Sequence, residues 1–166
     1  SLVLFGVSAT YHRFYWAPRW ETLWNRLDHS NIFLLIAGTY TPLTIALLDR
    51  SDATVLLSVV WSGALFGIVL NLFWPGAPRW LKTLIYVVLG WVAAWYLPQL
   101  WAGGGPAIVL LILAGGILYT LGAIVYGMKK PDPSPTWFGF HEIFHAFTVA
   151  AWACHCVAVY LAVLWA

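Results

Sequence analysis

Charge is scarce in this chain: Asp, Glu, Lys and Arg make up only 8% of its 166 residues, against 62% that are hydrophobic. Soluble domains carry roughly 25% charged residues, so a water-exposed surface cannot be assembled from this composition. A formal net charge of +2, with the cations in short clusters rather than along one face, is too small to suggest a nucleic-acid partner, and none is expected. Cysteine is nearly absent too. The only two, Cys154 and Cys156, stand two apart in a helical run, where their side chains point about 200° from one another and cannot pair. The opening Ser1-Leu-Val-Leu-Phe-Gly has no Met and no charged region leading to a cleavage site, as expected of a chain whose start is missing. Neither an internal repeat nor a low-complexity linker divides it, so residues 1–166 read as a single domain.

What the sequence does have is long apolar runs. Five are long enough to cross about 30 Å of hydrocarbon: Ile32 to Leu48, Thr54 to Trp74, Leu81 to Trp101, Pro106 to Gly127 and Phe140 to Trp165. A sixth, Leu2 to Tyr11, is about half that length and reads as the tail of a truncated span. Between them lie helix breakers: Ala17-Pro18, Pro75-Gly-Ala-Pro78, Gly103-Gly-Gly-Pro106 and Pro131-Asp-Pro-Ser-Pro135. The expected fold is an all-α, polytopic transmembrane bundle with six spans, the first of them truncated.

Arg13, Arg19, Arg26, Arg79, Lys82, Lys129 and Lys130 fall in alternate connections, and only Arg50 falls in the others. Cationic loops stay on the cytoplasmic side, which puts the C-terminus outside. With one more span upstream, the intact protein has seven helices and its N-terminus inside. Trp74, Trp80, Trp101, Trp137 and Trp165 mark predicted span ends, where amphipathic rings prefer the headgroup region. Trp16, Trp20 and Trp24 recur every four residues, with Arg19 and Arg26 off the stripe, which predicts a helix lying on the membrane surface as an anchor.

Ionisable groups at membrane depth are costly, so each is a functional candidate. Here they gather at the cytoplasmic side. His141 and His145 stand at i and i+4 on one helical face, the spacing that lets two imidazoles reach one ion, and His12 supplies a third nitrogen from another helix. Three His with an open fourth position is the arrangement of a catalytic zinc site. Asp28 is then a general base or a hydrogen-bond partner of a His ring, and Ser8, one turn before His12, a hydrogen-bonding group for ligand or substrate carbonyl. Alternatively, Asp28 caps a helix and Ser8 packs between helices. His29 reads as a loop or interfacial residue, and His155, about 15 Å along the helix from His145, is too far to share its ion. The literal His-Glu-x-x-His at 141–145 also matches zinc proteases, with Glu142 as base, but Thr148 and Ala151 stand where the extended motif has Gly and His.

Ser8-Ala-Thr-Tyr-His12, Leu27-Asp28-His-Ser30 leading into Ile36-Ala-Gly-Thr-Tyr-Thr-Pro42, and His141-Glu-Ile-Phe-His145 together resemble the hemolysin III family, the bacterial branch of the progestin and adiponectin receptor family. The resemblance runs from that family's second helix to its seventh. It implies a seven-helix fold whose first helix is missing here, a multi-pass location in the bacterial inner membrane, and zinc on His12, His141 and His145 with Asp28 and Ser8 nearby. The more distant resemblance to alkaline ceramidases implies hydrolysis of a lipid amide.

The expected function is therefore a zinc-dependent membrane hydrolase acting on a lipid amide or ester, with membrane lipids as partners and substrates. The alternative is a non-enzymatic protein with a structural zinc, either a regulator of membrane state or a lytic hemolysin. Lysis has little physical support, because the spans lack the regularly spaced polar stripe of a water-filled pore.

Overall fold

The computed structural model describes residues 1–74 and 76–165, Trp165 by its backbone alone, and every regular element among them is helical. Pro75, first residue of an expected turn, and the ring of Trp165, expected at a span end, lie outside the described residues.

Helix α1, Leu2–Arg13, ends where Phe14 turns extended (φ −110°, ψ 150°). Pro18 then opens α2, Pro18–Leu47, from the first helical position, where its fixed φ suits the helix and its missing N–H is not needed. This single 30-residue helix corrects two expectations. Trp20 and Trp24 do not sit on a separate surface helix; they occupy the first turns of the same helix that carries Ile32 to Leu47. Asp28, ten residues into α2, is not an N-cap, and His29 beside it is helical rather than a loop residue. The polar stretch before Ile32 ends the apolar run without ending the helix.

Helix α3, Arg50–Phe73, starts four residues before the expected Thr54 because Asp49 caps it, accepting the N–H groups of Ser51 and Asp52 at 2.9 Å each. Those donors, the Asp52 amide first, hold the Asp49 carboxyl below its ordinary 3.8. A carboxyl lowered on folding contributes stability above its ordinary pKa and loses it as the pH falls through the folded value. Asp49→Ala is expected to lower the melting temperature in detergent at pH 7, and the gap from the parent protein should close below pH 3.8. A gap constant with pH would refute this role for the charge.

The expected span Leu81 to Trp101 is not one helix. Helix α4 covers Arg79–Gly90, a 3-10 turn covers Val92–Tyr96, and α5 runs from Leu97 to Met128. Tyr40 of α2 stabilises the break, because its hydroxyl donates to the Gly90 carbonyl (2.7 Å) and accepts the Ala93 N–H (2.9 Å), replacing bonds that a continuous helix would make internally. Within α5 the chain reverses at Gly105, whose φ of 72° suits glycine, as the predicted Gly103–Pro106 turn requires. Trp91 meets Thr120 and Arg79 meets Tyr126, so the two limbs on either side of Gly105 run antiparallel. Helix α6, Phe140–Trp165, has the predicted bounds.

Four segments are long and apolar enough to cross a membrane: Pro18–Leu47, Arg50–Phe73, Arg79–Met128 and Phe140–Leu164. They pack as membrane helices do, through small residues. On α5, Gly115 abuts His155 and Gly122 abuts Phe147, both of α6, while Ala151, Ala158 and Ala162 are fully buried. One core gathers around Phe33 with Ala37, Leu56, Val60, Ala64 and Leu89, and a second around Leu43, Ile108, Ala158 and Ala162. Many large apolar side chains, including Val55, Val59, Phe66 and Val69 of α3, point outward, as a lipid-facing surface demands.

Candidate metal centre

Two helices, α1 and α6, bring the three predicted histidines together. His12 comes from the last turn of α1 and lies 41% exposed; His141 and His145 come from the first turns of α6 and are half-buried. Their ring centroids lie 4.5 Å (His141 to His145), 5.0 Å (His12 to His141) and 5.5 Å (His12 to His145) apart. One nitrogen from each falls within 4.8 Å of the others, and the Nε2 atoms of His141 and His145 approach to 3.0 Å.

The donor set suits a zinc ion. Zinc–nitrogen bonds of about 2.0 to 2.1 Å at tetrahedral angles put ligand nitrogens roughly 3.3 Å apart, inside the spread seen here. Neutral imidazoles are the usual donors, and two nitrogens aimed at each other need either a single shared proton or a cation between them.

Asp28 reaches the cluster from α2, with Oδ2 3.9 Å from His12 Nε2 and 4.0 Å from His29 Nδ1; its side chain is only 14% exposed. Ser8 lines the neighbouring cavity one turn before His12, and among the described residues its hydroxyl makes no hydrogen bond to Asp28 or the three histidines. Glu142 is exposed and accepts the Gly139 N–H at 2.9 Å, while Asp132 accepts that of Phe140, so both carboxylates serve the start of α6. That placement argues against the protease assignment for Glu142.

His29 and Tyr126 join the site although the sequence did not single them out for it. Nδ1 of His29 donates to the Asn25 carbonyl (2.9 Å), which fixes the proton there and leaves Nε2 to accept from the Tyr126 hydroxyl (3.2 Å). Tyr86 donates to the His29 carbonyl, so two phenols hold that turn of α2. His155, as expected from its distance, stays apart and bonds the Ile112 carbonyl at 3.2 Å.

An elongated cavity of about 170 Å³ leads away from the cluster. Asp28, His29, His141 and His145 line one end, and Thr44, Leu97 and Leu100 line the other. From Asp28 to Thr44 along α2 is about 24 Å, most of the thickness of the hydrocarbon layer. Its walls are largely apolar, including Ile32, Leu35, Leu43, Val87 and Ile112.

Apolar helices that shelter a cluster of histidines at one end of a lipophilic cavity define a multi-pass integral membrane protein. Sequence comparison places it more closely: the chain belongs to the haemolysin-III related family, which matches residues 1–156. It is 35% identical to the hemolysin-3 homolog of Bacillus subtilis (strain 168) over 162 residues, 96% of this chain and 73% of that protein. It is 36% identical to hemolysin-3 of Bacillus cereus over 148 residues, 87% of this chain and 64% of that one, so the chain spans less than two thirds of the latter. A shorter match, 39% over 49 residues, links it to the ADIPOR-like receptor IZH2 of Saccharomyces cerevisiae, covering 26% of this chain and 16% of the receptor. No solved structure is significantly similar to it.

Proposed function

We propose that the protein is a zinc-dependent hydrolase of a lipid amide or ester, embedded through six crossings of a seven-helix bundle with its N-terminus and its histidine cluster on the cytoplasmic side. The observation that carries this reading is the three imidazole nitrogens within 4.8 Å of one another at the mouth of an apolar cavity, with a carboxylate beside them. A zinc ion held by His12, His141 and His145 would supply Lewis-acid polarisation of a carbonyl. The cavity holds the acyl portion and excludes water from it, while Asp28 accepts the proton of the water that attacks the carbonyl carbon. Ser8 orients the substrate from the cavity wall.

Asp28→Asn is expected to lower turnover of a fluorogenic lipid amide by about 10²- to 10⁴-fold, the usual contribution of a positioned base, with zinc retained. Unchanged turnover would remove Asp28 from that role. The names of the two Bacillus relatives favour a second reading, membrane lysis, in which zinc only ties α1 to α6. In that case release of dye from vesicles persists in Asp28→Asn and stops when the histidines are removed.

A further inference from the structure

A second cavity, about 210 Å³ and polar, opens beside the first. Its walls are Asn25, His29, Ala77, Arg79, Lys82, Tyr86 and Tyr126. Two are cations and none is a carboxylate. Arg79 is exposed, its guanidinium is held 5.0 Å over the Tyr126 ring, and it has no carboxylate partner among the described residues. Lys82 is held by the Asn71 amide oxygen at 3.0 Å, and Asn71 is itself buried and bonded to Ser30 and the Arg26 carbonyl, so the lysine stands on a fixed base.

The two cavities share a wall. His29, Tyr86 and Tyr126 line both, and the ring of Tyr126 lies 6.4 Å from that of His141. Tyr126 thus stands between the basic pocket and the histidine cluster.

We infer that the Arg79–Lys82 pocket binds a phosphate group, and that the ligand is a lipid carrying that phosphate in its headgroup. An arginine fork and a lysine point charge in a pocket whose walls hold no carboxylate suit phosphate oxygens, and basic pockets between membrane helices recognise anionic headgroups in this way. The apolar cavity beside it, and the lipid-facing helices around it, favour a lipid over free phosphate as the source. Binding in this pocket does not depend on the hydrolase reading.

The test uses the purified full-length protein in a neutral detergent, titrated with phosphatidylglycerol, with the diacylglycerol of the same chains, and with sodium phosphate, while thermal stabilisation is followed. Phosphatidylglycerol is expected to bind at least about ten-fold more tightly than the diacylglycerol, roughly the effect of one charged hydrogen bond. Arg79→Gln should remove most of that preference, Arg79→Lys should keep part of it, and neither should change zinc content or diacylglycerol binding. Sodium phosphate that stabilises as strongly as the lipid, and displaces it, would assign the pocket to the free ion and overturn the lipid source. Equal binding of the two lipids, or an Arg79→Gln protein that binds phosphatidylglycerol as the parent does, would overturn the pocket itself. Lipid-amide turnover measured alongside separates the two readings. Arg79-dependent binding without turnover sinks the hydrolase and keeps the pocket; turnover without headgroup preference does the reverse.

Discussion

Replacing both His141 and His145 with alanine is expected to reduce the metal content of the purified full-length protein from about one zinc per chain to none. The two residues supply two of the three nitrogens that converge, and a single remaining imidazole on α1 cannot hold the ion against chelator. The loss should be selective. His155 sits apart from the cluster on α6, so His155→Ala should leave zinc unchanged and serves as a control for general damage to that helix. Elemental analysis of the three proteins after dialysis reads the result directly. Zinc absent from the parent would end the hydrolase reading and leave a bundle whose clustered histidines have a different task.

The second large effect concerns packing between α2 and α3. A Cβ added at Gly67 would run into the ring of Phe33, which is only 1% exposed and packs at a tilt against Tyr86, ring centroids 4.5 Å apart. Gly67→Ala must therefore push the ring or the helix aside, at about 1 to 3 kcal/mol, while Phe33→Ala leaves a void at about 3 to 5 kcal/mol. Between membrane helices close packing rather than water exclusion holds the contact, so the void is felt as lost dispersion contacts. Combined, the two changes should cost at least about 1 kcal/mol less than their sum, because the new methyl enters the space the ring has left. Denaturation of the four proteins in mixed detergent micelles measures the cycle. Strict additivity would mean that Gly67 does not abut Phe33.

His12, Asp28, His141 and His145 were legible in the sequence because a charged or imidazole side chain stands out against an apolar run, and because the i, i+4 spacing has a geometric meaning on a helix. His29 and Tyr126 were not legible. Each becomes informative only through the other, and 97 residues separate them. The break after Gly90 was hidden for the same reason: Leu84 to Leu97 carries no polar side chain but the Tyr hydroxyls to mark it, and the hydroxyl that replaces the missing bonds comes from Tyr40, some 50 residues upstream. Helix ends failed where hydropathy stood in for hydrogen bonding. Arg26 and Asp28 interrupt the apolar run, yet a helix needs no hydrophobicity to continue past the hydrocarbon, so α2 begins at Pro18 rather than Ile32. The turn at Gly103–Pro106 was read correctly because glycine and proline restrict the backbone locally, whatever lies around them.

The unbroken α2 acts as a rod about 45 Å long, longer than the hydrocarbon layer is thick. The indoles of Trp20 and Trp24 near its start favour headgroup depth, and Asp28 follows four residues after Trp24, about 6 Å further along the same rod. His141 and His145 ride on another rod, α6, whose start is fastened by Asp132 and Glu142. A stretch longer than the hydrocarbon layer is accommodated by tilt, so a change in bilayer thickness is expected to act first on α2 and on the depth at which it carries Asp28.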